Sequence, residues 1–248
     1  MKYIIALLIS LTFLFSCKED KTSQKNTKTD TNNSKIVTNN DPEKYFKSDF
    51  RPNEKISLNT IYENEVVFEK YNDDGDYTLM NVKNGSFIYD WERTKENDFC
   101  RGDILSVKWR MDSIWIAGDG ETLDFTETAF AVKKKKDGKV SQFRKKYKEP
   151  LSYHHSYEDK TEWFFNEIYL QVEYYIANSK NSLFNNYENI KIEYSIEHNI
   201  KDGKEYYMIG IYDNSNNQNS IIQWLYIEPE EFTIYEYDLP NDKLIKFN

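Results

Sequence analysis

Histidines are the side chains of this chain that could most directly bind a metal ion or move a proton. His154 and His155 are adjacent in the sequence, and His198 is the third. Neighbouring side chains of an extended segment point to opposite faces, so His154 and His155 reach one ion only where the chain bends. A zinc site also needs a third and usually a fourth ligand. We therefore expect no metal site and no cofactor.

Two groups of acidic and amide side chains could act in hydrolysis or in calcium binding. They are Asn72, Asp74 and Asp76, and Asp119, Glu121 and Asp124. Neither group has the spacing of an EF-hand loop, and turns rich in Asn and Asp are the ordinary interpretation. The sequence also lacks Gly-x-Ser-x-Gly, His-Glu-x-x-His, a phosphate loop and a dinucleotide fingerprint. We expect no catalytic residues. A hydrolase using the carboxylates at 119, 121 and 124 is an alternative.

Residues 133–148 form the most basic segment, with nine Lys or Arg residues against Asp137 alone. We predict a hairpin that turns at Asp137-Gly138. As an anion-binding surface it would use Lys133, Lys134, Lys135, Lys136, Lys139, Arg144, Lys145 and Lys146. The alternative is a solvated edge whose lysines discourage pairing with other sheets, and we favour it. The chain as a whole has a net charge of −9, which argues against binding nucleic acid.

The first twenty residues carry a targeting pattern. Lys2 precedes a short apolar run, Tyr3–Phe15, and Leu14–Cys17 has the pattern of a lipobox. With Lys18-Glu19-Asp20 behind the cysteine, the segment resembles that of Bacteroidota-type outer-membrane lipoproteins. The resemblance implies removal of residues 1–16, a diacylglyceryl and palmitate anchor on Cys17, and export signalled by Lys18, Glu19 and Asp20. It places the protein on the outer membrane, at the periplasmic face or the cell surface.

Cys100 is the second of two cysteines. If Cys17 carries lipid, no internal disulfide can form. Phe99-Cys100-Arg101 includes no histidine that could activate the thiol. We therefore expect Cys100 to be buried and inert.

The pattern after the anchor predicts an α+β protein that is mostly antiparallel β. Residues 17–43 are polar and are expected to be a disordered tether. Residues 44–149 should form an all-β domain, a small barrel or sandwich, because short alternating segments are separated by turn residues. Residues 150–248 should place one helix, about Glu158 to Ser179, on an antiparallel sheet. Trp163, Leu170 and Tyr174 share a second helix face, which we expect the β domain to cover.

The order of elements after residue 158 resembles cystatin-like and PepSY-like modules of secreted bacterial proteins, in topology alone. That resemblance implies a binding or regulatory module. The sequence therefore predicts a membrane-anchored, non-enzymatic binding protein of the cell envelope, tethered through lipid on Cys17. Its partner would be a protein, or an anionic glycan or lipopolysaccharide. Two alternatives are an immunity or inhibitor lipoprotein against a secreted toxin and an envelope hydrolase that uses carboxylates.

Overall fold

The fold is taken from a computed structural model, which describes residues 45–89, 98–116, 122–215 and 220–247. Within 122–215, the side chains of residues 185–188 are not described. The predicted signal peptide, the tether and the sites at Cys17, Lys18, Glu19 and Asp20 lie outside the described residues. Asp119 and Glu121 lie outside them as well.

The first half of the described chain is a closed barrel, preceded by a small two-stranded sheet of β1 (Tyr45–Phe46) and β2 (Ile56–Ser57). The strands follow the order β3-β4-β5-β7-β6 around the barrel, and only β5 and β7 pair in parallel. The barrel strands are β3 (Tyr62–Asn72), β4 (Leu79–Val82), β5 (Gly85–Tyr89), β6 (Ile104–Trp115) and β7 (Leu123–Lys136). Along β6, alternate apolar side chains fill the barrel, as the period of two predicts: Leu105, Val107, Trp109 and Met111.

The second half packs two helices against a six-stranded sheet. The sheet has the order β13-β12-β11-β10-β9-β8, antiparallel except where β8 pairs with β9. The helices are α1 (Lys139–Tyr147) and α2 (Glu162–Asn178), with short 3-10 turns at Ser182–Asn189 and Leu239–Asn241. The strands are β8 (Ser152–His155), β9 (Ile192–Lys201), β10 (Lys204–Asp213), β11 (Ser220–Ile227), β12 (Ile234–Asp238) and β13 (Lys243–Lys246).

The predicted fold class is confirmed, because the described chain is α+β with mostly antiparallel strands and a helix on a sheet. Helix α2 begins four residues later than predicted, where the Thr161 hydroxyl accepts a hydrogen bond from the Phe164 backbone N–H. Ile168, Val172 and Ile176 of the predicted stripe are buried. The barrel and the helix–sheet half have separate hydrophobic cores, and the division into two domains at residue 149 stays a prediction.

The predicted strand over residues 140–147 is wrong, because this segment is helix α1. Gly138 precedes the helix and lies so close to Gly102 that a Cβ there would be 2.4 Å from the Gly102 carbonyl carbon. The Gly138 N–H also donates a 2.7 Å hydrogen bond to Asp103. These contacts carry the chain away from the barrel, so Asp137-Gly138 leads into a helix rather than into a hairpin.

Candidate functional site

A cleft of about 620 Å³ lies between the barrel and the helix–sheet half. Its apolar walls are largely aromatic, with Phe68, Tyr71 and Phe99 from the barrel side, and Tyr174, Phe232 and Phe247 from the other. Leu170 of α2 also lines it and is 45% exposed. This volume lies in the range of ligand pockets, which are typically about 300–1,000 Å³. The cleft is therefore the candidate binding site.

Charged side chains of both signs border the same cleft. Glu69 and Lys70 come from β3, Glu167 from α2, Glu231 from the segment before β12, and Lys246 from β13. Within the ranges that the structure describes, these five side chains make no ion pair. Together with Arg101 and the pair of Arg144 and Glu173, the lining has as many cations as carboxylates, so the cleft does not carry the excess of one sign that a polyanion or polycation would require.

Arg101 bridges the two walls. Its guanidinium carbon lies 3.8 Å from the centroid of the Tyr174 ring, a cation–π distance. One of its terminal nitrogens donates a 3.2 Å hydrogen bond to the Gln171 side-chain oxygen. Both partners belong to α2, whereas Arg101 belongs to the loop before β6, so this contact ties the barrel side of the cleft to the helix.

Asp103 holds the loop before β6 in place. Its carboxylate is fully buried and accepts hydrogen bonds from the backbone N–H of Cys100 (2.9 Å) and Gly138 (2.7 Å) and from the Ser141 hydroxyl (2.9 Å). The Lys134 ammonium is 2.9 Å away. Burial alone would raise the pKa of Asp103, but the ammonium and the three donors outweigh it and lower the pKa below its usual value.

Arg144 and Glu173 join α1 to α2 on the floor of the cleft. The Arg144 guanidinium donates two hydrogen bonds of 2.7 Å, one to each Glu173 carboxylate oxygen. Glu173 is only 2% exposed, whereas the Arg144 side chain is 40% exposed. A planar, two-bond pair of this kind fixes the relative position of the two helices more tightly than a single contact.

No family model, curated protein or solved structure matches the chain. Among the described residues, no helix combines the length and the apolar character needed to cross a bilayer.

Cys100 lines the cleft as a free thiol and is 7% exposed, so its predicted burial is confirmed. Burial raises the pKa of the Cys100 thiol above its usual value. A thiol with a raised pKa is mostly protonated at neutral pH and is a weak nucleophile. The Cys100 side chain forms part of the wall of the cleft, and its inertness stays a prediction.

The basic segment forms a strand, a turn and a helix rather than a hairpin, and its cations have different environments. Lys134 pairs with Asp103, Arg144 with Glu173, and Lys145 with Asp137. The segment's other exposed cations include Lys133, Lys135, Lys136, Lys139 and Lys146. Anion binding by this segment stays a prediction, and the three cations already paired with carboxylates weaken it.

We expect the lysines of this segment to differ sharply in their effect on stability. Lys134→Gln should lower the free energy of unfolding by about 1–3 kcal/mol, because it removes the ammonium from a buried carboxylate. Lys135→Gln, one position along the same strand, should change it by less than about 0.5 kcal/mol, because that side chain is exposed. Urea denaturation of both variants measures the difference. Equal effects would show that the Lys134–Asp103 contact does not form in solution.

None of the three histidines lines the cleft, and each contacts different side chains. The His154 ring nitrogen Nδ1 is 3.1 Å from the Tyr212 hydroxyl, and the His155 ring stacks on Phe165 with centroids 4.0 Å apart. The His198 ring nitrogen Nε2 lies 4.0 Å from the Glu205 carboxylate oxygen Oε2. Within the described ranges, no three or more His, Cys, Asp or Glu side chains come together as a metal site would require.

Of the three carboxylates considered for hydrolysis, one lies within the described residues. Asp124 is exposed on β7 and accepts a 2.8 Å hydrogen bond from the Phe125 backbone N–H. Asp119 and Glu121 lie outside the described residues, so a hydrolytic group at 119, 121 and 124 stays a prediction. Near residue 74, the Asp74 N–H donates to the Asn72 side chain at 2.9 Å, which is an Asx turn.

The second helix face, Trp163, Leu170 and Tyr174, is predicted to be covered by the β domain. The structure instead leaves a cleft at Leu170 and Tyr174, while Trp163 is 59% exposed. Phe99, Arg101 and Phe232 were not identified as site residues. Phe232 lies more than a hundred residues after Phe99 and Arg101 in the sequence, and no local pattern could have brought it together with them.

Proposed function

We propose that the protein is a lipid-anchored, non-enzymatic binding protein of the bacterial cell envelope, and that the cleft binds a peptide segment of a partner protein. The observation that carries the proposal is the amphipathic cleft of about 620 Å³ between the barrel and α2. The pairs Asp103–Lys134 and Arg144–Glu173 stabilise its walls, so the site is largely formed before a ligand binds.

A peptide fits the mixed chemistry of this cleft better than a polyanionic glycan. The aromatic walls can bury apolar side chains, and Glu167, Glu231 and Lys70, which form no ion pair with any described residue, can pair with charges of either sign. A polyanion would require a net positive charge that the lining of the cleft does not have. The charge balance therefore favours a protein partner over lipopolysaccharide at this site.

Leu170→Asp tests the proposal directly. It places a charge on the apolar wall at a position that is already partly exposed, so folding should be retained. We expect it to weaken the binding of synthetic hexapeptides, selected from a positional-scanning library against the wild-type chain, by about tenfold or more. Fluorescence polarisation with labelled peptides gives the affinity.

Leu183→Asp is the matched control, since Leu183 is 57% exposed and does not line the cleft. Its binding should equal that of the wild type. If no library peptide binds the wild-type chain, or if both variants bind equally well, the cleft is not a peptide site.

The anchor is tested at Cys17. We expect Cys17→Ala to abolish lipid attachment and to release the protein from the membrane fraction, because one thioether-linked diacylglycerol with an added acyl chain accounts for the anchoring. Cys100→Ala is the control, since it removes the other thiol and leaves the lipobox intact. Mass spectrometry and fractionation of the two variants decide the outcome. A Cys17→Ala protein that keeps both the lipid mass and its membrane association would contradict the proposal.

A further inference from the structure

Arg101 is held in a geometry that is suited to receiving a carboxylate. Its guanidinium lies flat enough against Tyr174 for a 3.8 Å approach, and Gln171 fixes one terminal nitrogen at 3.2 Å. Stacking and one hydrogen bond remove much of the side chain's rotational freedom before any ligand arrives. The guanidinium retains further N–H donors, since arginine has five and Gln171 accepts from one.

Arg101 also lacks an anionic partner in the part of the chain that the structure describes. Of the two arginines that line the cleft, Arg144 is paired with Glu173, whereas Arg101 contacts an amide oxygen and an aromatic ring. The side chain is exposed at the cleft. A pre-oriented arginine without a carboxylate can form a two-bond contact with one from a ligand.

The surroundings restrict which anion can bind there. The carboxylates that line the cleft equal its cations in number, so the cleft lacks the net positive charge that a ligand with several negative charges would need. Phe99, Leu170 and Phe232 offer apolar surface beside Arg101. The ligand should therefore present one carboxylate next to apolar groups.

The cleft size indicates where in a peptide that carboxylate lies. About 620 Å³ corresponds to a small-molecule pocket, and an internal segment would have to leave it at both ends. A peptide that ends inside the cleft leaves it in one direction only, and no residue follows its planar terminal carboxylate. We propose that Arg101 binds the C-terminal carboxylate of a partner polypeptide whose last residues are apolar. This inference rests on the proposed peptide binding and names the part of the peptide that is recognised.

The test compares matched peptides and matched variants of the full-length chain in detergent. A hexapeptide selected on the wild-type chain is prepared as the free acid and as the C-terminal amide. Amidation should weaken binding by about 10- to 100-fold, which is the effect of losing a charge-assisted pair. Arg101→Gln should weaken binding of the free acid by a similar factor and should leave the amide unchanged.

Two further variants separate the geometry from the charge. Arg101→Lys keeps the charge but not the planar fork, so it should bind the free acid with intermediate affinity. Arg51→Lys is the control, because Arg51 also lies near an aromatic ring, Tyr62 at 5.2 Å, but pairs with Glu54. It should bind like the wild type.

Several results would overturn the inference. They are equal binding of the acid and the amide, wild-type affinity in Arg101→Gln, and a dependence on Asp or Glu side chains of the peptide in place of its terminus. If Leu170→Asp still abolishes binding in these cases, the cleft remains a peptide site and only the role of Arg101 is wrong. If no peptide binds the wild-type chain at all, the proposed function and this inference fail together.

Discussion

Replacing Asp103 by alanine should lower the free energy of unfolding by about 3–5 kcal/mol, which is among the largest effects expected for a single polar side chain. The Asp103 carboxylate is fully buried and accepts hydrogen bonds from two backbone N–H groups, a hydroxyl and an ammonium. Lys134 can turn to solvent when its partner is lost. The N–H groups of Cys100 and Gly138 cannot, and each would be left without an acceptor.

Urea denaturation of Asp103→Ala and of a control gives the measurement. Asp112→Ala is a suitable control, since Asp112 pairs with Arg110 near the surface and its side chain is 27% exposed. We expect the control to cost no more than about 1 kcal/mol. A loss below 1 kcal/mol for Asp103→Ala would mean that the loop before β6 and the start of α1 are not joined through this carboxylate in solution.

The same carboxylate should make stability depend on pH in acid. The folded protein holds the pKa of Asp103 below its ordinary value, so the unfolded chain takes up a proton at higher pH than the folded one. The contribution of Asp103 is complete above the unfolded pKa, about 3.9, and is lost as the pH falls through the lower folded pKa. The difference in stability between the wild type and Asp103→Ala should therefore be constant near neutrality and shrink below about pH 4.

The strongly periodic segments could be predicted from the sequence because their packing is local. Strand β6 alternates apolar and polar side chains along its length, and α2 repeats its apolar residues at helical spacing. Helix α1 was predicted as a strand, although Val140, Phe143 and Tyr147 recur at the i, i+3, i+7 spacing of a helix. The segment has only nine residues, so the helical pattern is short, and the contact that separates it from β7, between Asp103 and Gly138, spans 35 residues of sequence.

Much less of the candidate site could be predicted from the sequence. The apolar face of α2 was visible, but whether it is covered depends on how the barrel lies against the helix. Arg101 belongs to no recognised sequence motif. Its orientation in the cleft depends on Tyr174 and Gln171, about seventy residues further along the chain. Long-range packing of this kind leaves no signal in a single sequence, because neither the arginine nor its aromatic partner is unusual where it stands.

The two members of the pair Arg144–Glu173 should differ in the cost of their removal. Arg144→Ala leaves Glu173, which is 2% exposed, as a buried carboxylate without its partner, and should cost about 3–5 kcal/mol. Glu173→Ala leaves an arginine that is 40% exposed and can turn into water, so it should cost less, about 1–3 kcal/mol. The asymmetry follows from burial, because both variants lose the same two hydrogen bonds.

The double variant Arg144→Ala/Glu173→Ala distinguishes this explanation from a simple loss of attraction. The unpaired Glu173 carboxylate should account for most of the free energy of unfolding lost in Arg144→Ala. In that case, removing Glu173 as well should restore stability, and the double variant should be more stable than the Arg144→Ala single variant. Lys145→Ala, at an exposed neighbouring position, should have little effect. Equal costs for the two single variants, or a double variant that is the least stable of the three, would contradict the prediction. The α1–α2 contact would then depend on the apolar packing around Phe143 rather than on the ion pair.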